Sequence, residues 1–147
     1  SAMLRRVASH ARPGGLIVFH ELDWDGVRSF PPAPAYDRYR AWSAAALRLS
    51  GVELHMGMKL YSTFIAAGLS APFLRLEAVM GAGPHSSDLL QLTADLVGTL
   101  SPTMVQRGVA APDEIGHDTL ADRLRDEARA TGSVIVGPLQ IGAWCRV

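Results

Sequence analysis

The sequence predicts an α/β fold. Three observations carry that prediction: an unbroken apolar run, Leu16-Ile17-Val18-Phe19, directly behind a Pro13-Gly14-Gly15 turn; further strand-like stretches at 73–79 and 139–146; and intervening segments whose apolar residues recur at helical spacing. With 147 residues, 48% of them hydrophobic, the chain is long enough to bury well over half of its unfolded surface as one domain, read as 3–147.

Ser1-Ala2 ahead of Met3 reads as the remnant of a cleaved tag. Leu4, Val7, Ala8 and Ala11 then recur at i, i+3, i+4 and i+7, a one-sided helix that the Pro-Gly-Gly turn stops. The run Leu16 to Phe19 has no polar alternation, which predicts a strand covered on both faces and lying inside the sheet, not at its edge. Pro31, Pro32 and Pro34 mark a loop. A helix over 36–50 follows, with Tyr39, Trp42, Ala46 and Leu49 on one face. The next helix, 58–67, carries Leu60, Phe64 and Ala67, and Gly68 supplies its left-handed cap.

Pro72 forbids continuation, and 73–79, alternating in part with period two, predicts a second strand. Past Gly81-Ala82-Gly83-Pro84, Ser86 or Ser87 caps a helix with Leu89, Leu92, Leu96 and Leu100 on one face. Ser101-Pro102 reads as the cap and first residue of a separate short helix. Between His117 and Ala130, Leu120, Ala121, Leu124 and Ala128 oppose Asp122, Arg125, Asp126 and Arg129, an amphipathic helix with a solvated charged side. Val134-Ile135-Val136, a break at Gly137-Pro138 and a final strand over 139–146 complete the chain.

Composition excludes several function classes. Fourteen basic against 14 acidic residues give a formal net charge of +0, so no overall field draws in nucleic acid or an anionic membrane. No apolar stretch reaches the roughly 18 residues of a membrane span. The single cysteine, Cys145, permits no intrachain disulfide and fits a reducing, cytoplasmic setting; in its apolar surroundings it reads as buried and inert.

The candidate site lies where the first strand ends. In open α/β sheets ligands bind outside the carboxyl ends of the strands, and His20, Glu21, Asp23, Trp24 and Asp25 stand there. Two readings stay open: a polar rim with an aromatic wall, in which a carboxylate orients a substrate or acts as general base, or a solvated loop. Period two puts Glu21 and Asp23 on one face and His20 on the other. His55, between Leu54 and Met56, either reaches a pocket or is a satisfied, partly buried histidine. No metal site is expected: His20 with its neighbouring carboxylates matches no known ligand spacing, and the histidines form no i, i+4 pair. Tyr39, Trp42 and Leu49 line either a pocket or the core. Gly81-Ala82-Gly83 follows a strand and precedes a helix, but Ser86 stands where a nucleotide-binding turn needs a further glycine, so it reads as an ordinary loop.

Taken together, Leu4, Val7, Ala11-Arg12-Pro13-Gly14-Gly15-Leu16-Ile17-Val18-Phe19 and Glu21 resemble the late helix, turn and strand of class I S-adenosylmethionine-dependent methyltransferases. Gly57, Leu60, Phe64 and Ala67-Gly68-Leu69 resemble that family's next helix, Phe73 to Val79 its sixth strand, and Gly142-Ala143-Trp144-Cys145-Arg146 its closing antiparallel strand. The resemblance implies a partial Rossmann-like methyltransferase fold: the fifth, sixth and seventh strands as a three-stranded mixed sheet (near 16–20, 73–79 and 139–146), with a helical insertion at about 86–130 as a substrate cap. On the strand-end reading, His20, Glu21, Asp23, Trp24 and His55 are the residues expected to face a small-molecule substrate.

The same resemblance makes S-adenosylmethionine the family's cofactor. This chain alone is not expected to bind it, because the glycine turn and ribose-binding acid of the early strands are not in it, and is therefore expected to be inactive by itself. An unpaired Leu16–Phe19 strand invites a homodimer or strand exchange. The alternatives are a non-catalytic binding or dimerisation module, and a cofactor-free enzyme using Glu21 and Asp23.

Overall fold

The computed structural model describes residues 2–147. In chain order they form α1 (Ala2–Ala8), β1 (Leu16–Asp23), β2 (Arg28–Phe30), α2 (Pro34–Leu49), α3 (Met56–Ala66), β3 (Phe73–Ala82), α4 (Ser87–Gln106), α5 (Pro112–Ile115), α6 (His117–Thr131) and β4 (Val134–Arg146). The class is α/β, as expected, but the sheet is four-stranded, antiparallel and open rather than three-stranded and mixed, and β4 pairs with each of the others. The additional strand, β2, is three residues with no apolar pattern of its own, held by pairing with Val134–Val136.

The expected break at Gly137-Pro138 is absent, and β4 is one strand of 13 residues. Its ladder explains why: 134–136 pair with β2 and 139–146 with β1, so Pro138, which has no N–H to donate, falls between the two pairings. No helix among the described residues is long and apolar enough to cross a membrane.

Contacts divide the chain into two compact units. The first comprises the residues up to Asp25, 55–77 and 138–147. Alternate residues of β1 and β4 point to one face, where Ile17, Ile141, Ala143 and Cys145 meet Leu4 of α1 and Leu60 and Phe64 of α3 in a buried cluster. Phe19 meets Phe64 edge to face, with ring centroids 6.1 Å apart. Gly57 lets α3 seat this closely, since a Cβ there would lie 2.8 Å from the Ile141 side chain. Gly68, at φ +80°, takes the left-handed position after α3.

The other face of β1 is bare. Leu16 is 55% exposed and Val18 58%, and β1 is an edge strand whose partner is β4. The expectation of a strand covered on both faces inside the sheet is therefore overturned: α3 covers one side, and no helix of this unit covers the other.

The second unit comprises 26–54 and 78–137, with α2, α4 and α6 packed together. α4 runs unbroken through Pro102, although an internal proline costs about 3 kcal/mol. Val97 and Met104, on either side of it, are fully buried and hold the helix across the fault. Its buried residues are Leu89, Leu90, Ala94, Val97 and Met104; of the four leucines expected on one face Leu89 is buried, Leu96 and Leu100 are half-buried and Leu92 is exposed, so volume packed against α2 and α6 selects the face, not the run of leucines. On α2, likewise, Tyr36, Tyr39, Ser43 and Ala46 are buried and Leu49 is exposed.

Candidate functional site

Within the first unit, β1 ends on Asp23, whose backbone still registers with Leu139 of β4. Strand alternation puts its side chain on the Ile17 side, the face α3 covers, and the residue is 1% exposed. A single 3₁₀ turn, Trp24–Gly26, follows. Asp23 Oδ1 accepts the Asp25 N–H at 3.0 Å, which closes this turn and brings the second carboxylate round beside the first.

His55 stands at the N-cap of α3. Its Nδ1 lies 3.4 Å from Asp23 Oδ2 and 3.6 Å from Asp25 Oδ2. One donor atom from each of the three residues falls within 4.8 Å of the others. Asp23 Oδ2 is buried and accepts no hydrogen bond, and Trp24 Nε1 is buried without an acceptor. Two carboxylates and an imidazole converging on one point, with a bare buried oxygen among them, form a site for a cation or for a ligand that donates hydrogen bonds.

Of the residues expected at the site, Asp23 and His55 come together, with Trp24 in the turn between the carboxylates. His20 and Glu21 do not join them. His20 points to the bare face of the sheet, as period two requires, and lines a shallow cavity of about 200 Å³ with Val18, Arg75, Glu77, Gln140 and Trp144. Arg75 and Glu77 pair at 2.8 Å on its rim. Glu21 is half-buried, its backbone carbonyl facing Gly57. Asp25 was legible as part of the acidic turn, but its partnership with His55 was not, because 30 positions separate them. The available signal was the Asp-x-Asp pair at a strand end combined with a histidine opening the next helix. Cys145 is a buried free thiol in the core of this unit.

Gly81-Ala82-Gly83 is the stretch weighed in the sequence as a cradle for S-adenosylmethionine. The glycine loop at 81–83 offers no cradle: a Cβ on Gly81 would collide with the backbone carbonyl of His85, so the glycine serves the loop's own closure. No family model matches the sequence, and no curated protein is significantly similar to it.

Proposed function

We propose that this chain is the C-terminal, substrate-side portion of a class I S-adenosylmethionine-dependent methyltransferase acting on a small molecule, inactive in methyl transfer by itself. The observation that carries this reading is the bare side of β1. An apolar strand of this kind belongs in a sheet covered on both faces and continued past β1 by further strands. A closing strand antiparallel to β1, and a helix packed on one side of it, also support the resemblance. Donor-binding residues would belong to the missing strands, and the cavity beside His20 would belong to the substrate side. Cytoplasmic residence suits the single reduced cysteine.

A second reading is favoured by the same free edge: a non-catalytic module that pairs with a copy of itself through Leu16–Phe19, as a dimer or by strand exchange. The test joins this chain to the polypeptide encoded upstream of it. On the first reading the longer chain binds S-adenosylmethionine at micromolar affinity, while the 147-residue chain gives no calorimetric heat with the donor or its demethylated product. A longer chain without donor affinity overturns the methyltransferase reading. A compact monomer at micromolar concentration overturns the self-pairing one.

A further inference from the structure

We infer that Asp23, Asp25 and His55 bind a divalent transition-metal ion, and that zinc(II) is the ion their donor set fits. The separations carry the inference. A proton shared between imidazolium and carboxylate draws N and O to about 2.7–2.9 Å. Here His55 Nδ1 stands 3.4 Å from Asp23 Oδ2 and 3.6 Å from Asp25 Oδ2, too long for that bond. Two ligands of a tetrahedral zinc ion, each about 2.0–2.2 Å from the metal, lie roughly 3.3–3.5 Å apart. The two separations from His55 match the spacing of ligands around an ion, and the two carboxylate donors lie within 4.8 Å of each other.

Energetics point the same way. Asp23 is 1% exposed and its Oδ2 accepts no hydrogen bond, and a buried anionic oxygen without a partner is costly. Oδ1 is already committed to the Asp25 N–H, which fixes the carboxylate with its other oxygen aimed at His55. Two carboxylates neutralise a divalent charge, and the imidazole selects a transition metal over calcium or magnesium, which take oxygen donors. Asp25 is 81% exposed, so the ion enters from solvent on that side. Three protein ligands leave a position for water or a substrate oxygen.

The test is a calorimetric titration of Zn²⁺ into the chelator-treated chain, repeated with Co²⁺ and read by visible absorption. Expected are one ion per chain at micromolar affinity or tighter and the absorption bands of four-coordinate cobalt, with affinity at least tenfold weaker in both His55→Gln and Asp23→Asn. His55 is 36% exposed, so His55→Gln decides the matter alone if Asp23→Asn does not fold. Failure to take up Zn²⁺ at tens of micromolar, or undiminished uptake by His55→Gln, overturns the site and assigns any binding to the other histidines. No S-adenosylmethionine enters the measurement, so its outcome is independent of the methyltransferase reading.

Discussion

The two units treat buried polar groups differently. In the helical unit they are largely satisfied. Tyr36 Oη donates to the Val136 carbonyl at 3.0 Å, Tyr39 Oη donates to Ile115 O at 3.1 Å and accepts from Arg123 Nη2 at 2.8 Å, and Ser133 Oγ donates to Pro31 O at 2.6 Å. Arg40 Nε is the exception. In the sheet unit, the deepest carboxylate keeps one oxygen without a hydrogen bond and faces a histidine at 3.4 Å. Polar burial that is closed by protein partners is architecture; polar burial left open at a solvent-facing strand end is where a ligand would complete the shell.

The largest effect expected from this contrast is alkaline. Burial pushes the Tyr36 phenol up to about 12, against a partial pull downward from Arg40. The folded protein thus holds this proton more tightly than the unfolded chain does. The stability this confers is complete below the ordinary tyrosine pKa of about 10 and is lost as pH climbs to about 12, up to roughly 3 kcal/mol. Urea unfolding across that range should show the decline, and Tyr36→Phe should flatten it. An equally steep decline in the variant would place the alkaline sensitivity elsewhere.

Next in size is Glu127. Helix α2 begins at Ala33, which has no side-chain acceptor, and Glu127 of α6 replaces that cap by accepting the N–H of Ala35 at 2.8 Å and of Tyr36 at 3.3 Å. Glu127→Ala should cost about 2 kcal/mol in urea unfolding, with Glu127→Gln in between. A loss near zero would mean that water replaces the carboxylate.

How much of this was legible follows from the range of each interaction. The α3 stripe, the Gly68 cap and the face separation of Glu21 and Asp23 from His20 are local, and the sequence states them. The Glu127 cap joins residues 92 positions apart, and β2 exists only through its pairing with β4, so neither leaves a mark in a local pattern. The expected α4 face holds at Leu89 and fails at Leu92, which is exposed, because apolar identity alone does not say which neighbours supply volume. At the site, each residue type was visible; the turn that brings Asp25 back to His55 was not.

A smaller effect tests the contrast directly. In chelator-treated protein, Asp23→Asn should change stability by less than about 1 kcal/mol, in either direction. The amide oxygen can keep the Asp25 N–H, and the oxygen that the amide nitrogen replaces accepts no hydrogen bond. Breaking a structural buried ion pair would instead cost about 3–5 kcal/mol, and a loss of that size in urea unfolding would make Asp23 and His55 architecture after all.

The smallest expected change in stability carries the most information about association. Val18 lies on the bare face of the edge strand and touches none of the buried cluster, so Val18→Lys should leave the unfolding midpoint within about 0.5 kcal/mol of the parent. A lysine there places a charge beside the free backbone edge, the device by which natural edge strands resist pairing. If copies of the chain pair through Leu16–Phe19, sedimentation should show the variant shifted to monomer at concentrations where the parent is dimeric. Unchanged association would move the interface off β1, most directly to β3, where Phe73, Leu76 and Met80 are also exposed.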